Sequence, residues 1–322
     1  DARLTEAVAA ITRIARPRLM ECNQVATERL LLGVTVEGLP DWDGGRGQTI
    51  QFIDWDNPAN NTFTVCSQYR VDCPPGFETG KAFIVPDLVL LVNGIPLAVV
   101  ECKSPAVPEP LADAVDQLRR YHNQRSRDNE VDHNEGNEPL FATNQLLIAT
   151  SFDEARVGAI GASFDHYAPW KTVAPETEAA VAARLGVEQL SEQQRLIAGM
   201  LTPERLLDVV RHFVIFMNAG GQVVKAVCRY QQFRAVQKAI ARLQGGKTRL
   251  QDGEHDRRGG EEPRTDKHNY TEHGQGCAQT AGLIFAERCD IKFGTQHYYG
   301  EDRTEGGRRG EGELSERNIL AE

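Results

Sequence analysis

The sequence predicts an α/β chain, and three features carry that prediction. Short runs of β-type character fill the first half, whereas from about Thr172 the apolar residues recur at helical intervals. Between them "FIVPDLVLLVNGIPLAVVECKSP", residues 83–105, places two apolar runs on either side of an Asn-Gly dipeptide, a strong short-range hairpin signal. With 322 residues, of which 40% are apolar, the chain has material for a core and roughly two domains.

The elements follow in order. Leu4 to Ala15 is spaced as a helix that Pro17 stops, and a second helix is predicted from about Asn23 to Leu32. "DWDGGRGQ" is turn chemistry, followed by the β-type runs "TIQFIDW" and "TFTVCSQYRV" around the loop "DNPANN". After the hairpin, "PAVPEP" breaks the chain before a helix from about Leu111 to Arg125. Residues 127–138 are charged and read as an exposed loop, "NQLLIATSF" as a buried strand, and "EARVGAIGASF" as a short strand with turns. Helices are predicted in "PETEAAVAARL", "SEQQRLIAGML" and "TPERLLDVVRHFVIFM", the last two capped by Ser191 and Thr202, with Pro203 at the first helical position. These read as a connector. "QVVKAVCRY" then gives a short strand before the helix "QQFRAVQKAIARL". Beyond about Gly245, residues 251–276 and 297–318 are rich in Gly, Glu, Arg, Asp and His, which predicts a weakly ordered polar tail; "TAGLIFAERCDIKF" is the one segment in it that could pack.

The totals exclude several classes. A formal charge of -10 argues against a surface coated in basic residues for wrapping nucleic acid, though not against a local basic groove. No apolar run approaches the roughly 20 residues of a membrane helix, and the start has no basic-then-apolar signal pattern. The seven cysteines, at 22, 66, 73, 102, 228, 277 and 289, show no CxxC or finger spacing, so a reduced, cytoplasmic setting is expected. The tail histidines at 255, 268, 273 and 297 likewise fit no familiar zinc arrangement.

The hairpin carries the chemistry. Asp87 precedes its turn and Glu101 follows it, so folding brings two carboxylates together; a divalent cation between them resolves their repulsion. Lys103 stands two residues beyond Glu101, on the same side of the strand. Such a set can hydrolyse a phosphodiester. Mg²⁺ held by Asp87, Glu101 and the Cys102 backbone carbonyl polarises the phosphate and acidifies a bound water, while Lys103 orients that water or offsets charge on phosphorus. A strict two-residue loop at Asn93-Gly94, however, sets Asp87 opposite Val100 and sends Glu101 to the other face. An irregularity is therefore predicted between Pro86 and Pro96, from a three-residue loop with a bulge or a bulge near Pro86. By itself the pattern also fits an ordinary hairpin whose polar end meets solvent.

More than this triad matches a known family. "VPDLVLLVNGIPLAVVECKSP" resembles the PD-(D/E)xK nuclease motif of the restriction (R) subunit of type I restriction-modification enzymes, with a Gln-x3-Tyr motif in the following helix at Gln117 and Tyr121. "QFIDWDNPANNTFTVCSQY", "LFATNQLLIATSFDEARVGAIGASFDHYAPWKT" and "RYQQFRAVQKAI" extend the likeness, in order, over about residues 20–244. The resemblance implies a restriction-endonuclease-like α/β core, a mixed sheet flanked by helices, together with Mg²⁺-dependent cleavage of double-stranded DNA and partnership with modification (methyltransferase) and specificity subunits. It also implies that Gln117 and Tyr121 contact DNA or support catalysis. Arg119, Arg120, Arg125 and Arg127 are candidates for phosphate contacts.

The family continues into an ATP-hydrolysing motor that begins with a P-loop. Here "ARLQGGKT" has Ala241 where that loop needs its first glycine, and it follows a helix instead of a strand, so ATP is not expected to bind. The expected organisation is a nuclease domain at 1–170, a helical linker at 171–220, an incomplete approach to the motor at 221–250 and a polar tail at 251–322, as in a truncated or frame-altered R subunit. The alternatives are a non-catalytic assembly module that docks on the modification complex, and a stand-alone repair nuclease of the same fold. Cys102 is expected to be a core residue, Glu28 an exposed helix charge, and Trp42, Trp55 and Trp170 packing residues.

Overall fold

The computed structural model describes residues 2–38, 44–74, 82–124, 126–127, 130–131, 135–245 and 292–293. Helices α1 (Ala2–Thr12) and α2 (Leu19–Leu32) lead into β1 (Val34–Val36) and β2 (Gln48–Ile50), which pair with each other. The β-run expected through Trp55 stops at Ile50. Asp54 Oδ1 accepts from the Asp56 and Asn57 amides, and this local turn competes with extension. β3 (Phe63–Ser67) ends at Gln68, whose φ of 50° takes it out of the β region; β4 (Val71–Asp72) then pairs with β5 (Phe83–Ile84).

The central hairpin is β6 (Leu88–Val92) and β7 (Ile95–Cys102), joined by Asn93 (φ 52°) and Gly94 (φ 80°). Both turn residues are left-handed, the geometry that matches strand twist and favours Asn-Gly. The Asn93 side chain accepts from Thr62 N–H and donates to the Phe52 carbonyl and to Asn61, tying the turn to the preceding loop. Helix α3 (Pro110–Tyr121) stops short of the expected Arg125, because Asn123 adopts φ 56° and closes the last turn with Asn123 N–H donating to the Arg120 carbonyl. Two short strands, β8 (Ser126–Arg127) and β9 (Glu130–Val131), and a helix capped by Asn137, α4 (Glu138–Phe141), lie in the segment read as loop. β10 (Leu146–Ser151) and β11 (Glu154–Gly158) follow.

The sheet order is β11-β10-β7-β6-β3, with β14 (Lys292–Phe293) alongside β3 at the edge. β10 runs parallel to β7 and the other pairs of the five strands are antiparallel, so the sheet is mixed, as predicted. Its two faces are both apolar, which is why β7 and β10 read as nearly continuous apolar runs. One face carries α3, through Leu111, Ala114, Val115 and Leu118 against Val89, Val99 and Leu147. The other carries Leu88, Val100 and Ile148, covered by the second half of the chain.

That covering corrects the expected linker. Helices α5 (Glu178–Leu185), α6 (Glu192–Met200) and α7 (Pro203–His212) form as the caps predict: Ser191 and Gln194 make a reciprocal capping box, and Pro203 opens α7, although the Thr202 side chain makes no cap bond. They are not a detached connector. Leu196, Val209, Phe213 and Phe233 join Trp170 and the sheet residues in one apolar cluster. The helix expected through Met217 ends at His212, and β12 (Val214–Ala219) pairs instead with β13 (Gln222–Val227) around Gly220-Gly221. Val-Ile-Phe suits a strand better than a helix, and the Gly-Gly turn lets the ladder close. Lys225 of β13 is buried and donates to Asn23 Oδ1, the Asn144 carbonyl and Gln145 Oε1; burial holds its amine well below the ordinary lysine range. Helix α8 (Tyr230–Gly245) ends the continuous described region, so the P-loop-like Gly246-Lys247-Thr248, Trp42, Arg125 and the tail histidines lie outside the described residues.

Gly199 records how closely α6 approaches the chain after the sheet: a Cβ there would lie 1.9 Å from the Thr172 carbonyl oxygen and 2.8 Å from the Trp170 indole nitrogen. Backbone on one side and a fully buried ring on the other leave little room to yield. Gly199→Ala is expected to cost about 2–3 kcal/mol in urea denaturation and to lower the single transition of the whole unit. A separate early transition for residues 171–245, with the sheet unaffected, would show that the two halves are independent.

Candidate active site

The position of Glu101 follows from one extra residue. Val92 pairs with Ile95 and Leu91 with Pro96, but the next pair is Leu90 with Ala98, so Leu97 is left over on β7. Leu97 and Ala98 therefore both pack on the cluster that Leu88 and Val100 share, and from Val99 onward the odd-numbered residues face α3. Val89 shows that the odd positions of β6 face α3 as well. Asp87 and Glu101 thus come to the same side of the sheet. The irregularity lies opposite Leu90 and Leu91, within the predicted stretch of β6. It arises neither from a longer loop nor at Pro86, because the two-residue turn is kept and the offset is absorbed inside β7.

The two carboxylates differ in environment. Asp87 is half-buried; its Oδ2 accepts from the Cys102 amide at 2.7 Å and its Oδ1 from the Gln68 side chain at 2.8 Å. Glu101 is 2% exposed; its Oε1 accepts from Lys103 at 3.0 Å, and its Oε2 is buried with no hydrogen-bond partner. Burial, then the charge of Asp87, pushes the Glu101 carboxyl up to about 8, against the pull of Lys103. A buried carboxylate oxygen without a donor, beside a second carboxylate, is the donor set a hard cation fits. Asp87 and Glu101 are the side chains that could hold one. Among the described residues no group of three or more His, Cys, Asp or Glu side chains gathers, so any further ligand would be backbone or water. The Cys102 thiol packs in the core on the far face, as expected, while its backbone stays beside Asp87.

Lys103 is fixed by a chain of bonds rather than by Glu101 alone. Its ammonium also donates to Gln117 Oε1; Gln117 Nε2 donates to the Tyr121 hydroxyl at 2.5 Å, and that hydroxyl donates to the Val85 carbonyl at 3.0 Å. The four-residue spacing on α3 puts Gln117 and Tyr121 on one helix face, over the site. Val85 lies two residues before Asp87, so the chain runs from one carboxylate to the strand bearing the other. Tyr121 is 2% exposed, which makes it a support for this network and not a surface contact. Its burial, together with the charge of Glu101, pushes the phenol well above its ordinary range.

The remaining candidates divide. Arg120 is partly buried, its guanidinium 5.3 Å from the Tyr121 ring centroid and close enough to draw Glu101 down slightly. Arg119 is partly buried, and its charge acts on His122 and Tyr167. Arg127 lies in β8, and its side chain is outside the described set. Glu28 is exposed on α2, whose Asn23 and Thr27 bond near Asn144 and Gln145, at the end of β10 away from the site. The bond from Gln68 to Asp87 was not anticipated, since it joins an irregular strand end to the bend just before β6.

Comparison with known proteins settles the family. The profile described as "Type I restriction enzyme R protein N terminus" matches residues 2–166, which include strands β3, β6, β7, β10 and β11 and the site. This chain belongs to the type I restriction enzyme R protein family. It is similar to the type I restriction enzyme HindI endonuclease subunit of Haemophilus influenzae, 31% identical over 219 residues, which is 68% of this chain and 19% of that protein. It is also similar to the putative type I restriction enzyme MjaIXP endonuclease subunit of Methanocaldococcus jannaschii, 24% identical over 243 residues, 72% of this chain and 21% of that protein. The chain thus spans about a fifth of the length of these R-protein relatives. Among the described residues no helix is long and apolar enough to cross a membrane.

The raised Glu101 carboxyl fixes the sign of a pH effect in the absence of divalent ions. Below pH 4.5 the group is protonated in both folded and unfolded chains, and its contribution is fully present. Between there and about 8 the unfolded chain gives up a proton that the folded one keeps, so stability falls as pH rises. The steepest slope is about 1.4 kcal/mol per pH unit. Glu101→Gln should remove this slope, which urea midpoints at pH 5 and pH 8 in chelator would measure. Parallel profiles for the two proteins would mean that Glu101 is already ionised at pH 5.

Proposed function

We propose that this chain is the endonuclease region of a type I restriction enzyme R protein, hydrolysing phosphodiester bonds of double-stranded DNA with Mg²⁺. The observation that carries the proposal is the pairing of Asp87 with a buried Glu101 whose Oε2 has no donor, with Lys103 alongside. The names of the relatives, which are endonuclease subunits, support it.

Asp87, Glu101 and the Cys102 backbone carbonyl would hold the ion. When bound, it would supply Lewis acidity to the phosphate and lower the pKa of a water. The chain's own residues do the rest. With the ion in place, Glu101 would release to solvent the proton that burial makes it keep in the free state, and its Oε2 would serve as a ligand. Lys103 Nζ, held between Glu101 Oε1 and Gln117 Oε1, is set to donate to the attacking water or to a phosphate oxygen as negative charge builds there. Water adds to phosphorus and one P–O ester bond breaks. Tyr121 and Gln117 keep Lys103 from rotating out, and Arg120 sits where it can meet a neighbouring phosphate.

In the complete enzyme this region would work beside an ATP-driven translocase and with methyltransferase and specificity subunits, which would supply DNA and choose the site. The isolated chain should therefore nick plasmid slowly in Mg²⁺. Lys103→Ala and Asp87→Asn are expected to reduce the rate on the order of 100-fold or more. Tyr121→Phe, which keeps the ring and loses the hydroxyl, should give an intermediate loss with the fold intact by circular dichroism. Equal nicking by the unmodified chain and Lys103→Ala would remove the enzymatic reading and leave a docking module.

A further inference from the structure

Gln68 occupies an unusual position for its residue type. It ends β3 with φ 50°, the left-handed region that a residue with a Cβ disfavours, and it is exposed. Two bonds leave it for the same neighbour: its backbone N–H donates to the Asp87 carbonyl, and its side-chain Nε2 donates to Asp87 Oδ1, both at 2.8 Å. The Tyr69 N–H donates to the Pro86 carbonyl at 3.0 Å. The main chain is thus already fastened at this point by two bonds, and the Asp87 carboxylate already has a donor in the Cys102 amide. The side-chain bond is not needed to satisfy a buried group, since an exposed glutamine amide can be solvated instead. A left-handed backbone is nevertheless retained where a straight strand end would have carried this side chain away from Asp87.

We propose that Gln68 is a positioning residue for the divalent-ion site, its strained backbone retained because it aims the amide at Asp87 Oδ1. This rests on the reading of Asp87 and Glu101 as an ion-binding pair. Between them, the Cys102 amide and the Gln68 amide fix both oxygens of the carboxylate, which leaves it a single setting beside Glu101. Without Gln68 the carboxylate is held at one oxygen only and can turn about its Cβ–Cγ bond, so the pair is no longer preorganised to grip one cation.

Strain and positioning predict changes of opposite sign, which a purely structural role does not. Gln68→Gly relieves the backbone and removes the amide, so its urea midpoint should rise while its affinity for Ca²⁺, a probe that binds oxygen ligands, falls about tenfold by calorimetry without DNA. Gln68→Asn tolerates the left-handed region but is one methylene too short to reach Asp87. It should keep or raise the midpoint and lose affinity like the glycine variant. Unchanged Ca²⁺ affinity in both variants would overturn the proposal, as would a fall in midpoint and affinity together. Absence of Ca²⁺ binding by the unmodified chain would instead overturn the ion-site reading, and the proposal with it.

Discussion

The side of the sheet on which Glu101 stands is decided at Leu97, four residues earlier, and most of what the site can do depends on that placement. A regular ladder from the Asn93-Gly94 turn would put Glu101 among the side chains of Leu88 and Val100, a buried carboxylate in an apolar layer with no counter-charge. The extra residue turns it toward α3 instead, where Asp87, Lys103 and Gln117 are. The cost is small because Leu97 and Ala98 are both apolar and can both be buried on the same side. The turn does not yield, since Asn93 is bonded on three sides to the loop before β3.

Once there, Glu101 holds its proton more tightly than an ordinary glutamate does. Burial and Asp87 keep its proton on in the free state, and Lys103 offsets only part of that penalty. The ammonium does not lie freely across the two carboxylates. It is drawn to one side by Gln117, itself set by the Tyr121 hydroxyl and the Val85 carbonyl. The bond from Lys103 goes to Oε1, and Oε2 stays buried without a hydrogen-bond partner.

Much of this was legible in the residues. Asn-Gly between apolar runs gave the hairpin, the strand period put Glu101 and Lys103 on one side, and the impossibility of pairing Asp87 with Glu101 in a strict register announced an irregularity. Its location was not legible, because Leu-Ala-Val-Val is equally apolar in either register and carries no mark of where the ladder slips. Gln117 and Tyr121 were found by their spacing and by family likeness, but the order of their bonds to Lys103 is tertiary. Gln68 left no signal at all, since its partner Asp87 is 19 residues away in the chain. The starts of the helices at Glu192 and Pro203 were marked by Ser191 and Pro203, although the second was expected to run on to Met217 and ends at His212. Their role as cover was missed because caps are local, whereas the face they cover belongs to strands far earlier in the chain.

The seating of Trp170 has a practical corollary for anyone isolating the catalytic unit. The family profile ends at residue 166, which invites a cut just beyond it. That indole is 1% exposed and packs with its ring tilted against Phe233, centroids 5.3 Å apart, and the Phe233 ring lies 4.9 Å from Phe213. A recombinant fragment trimmed at the profile boundary would bare Val100, Ile148 and Leu88 to water along a whole side of the sheet, a sticky surface prone to self-association. A piece that keeps this side covered includes Phe213 and Phe233.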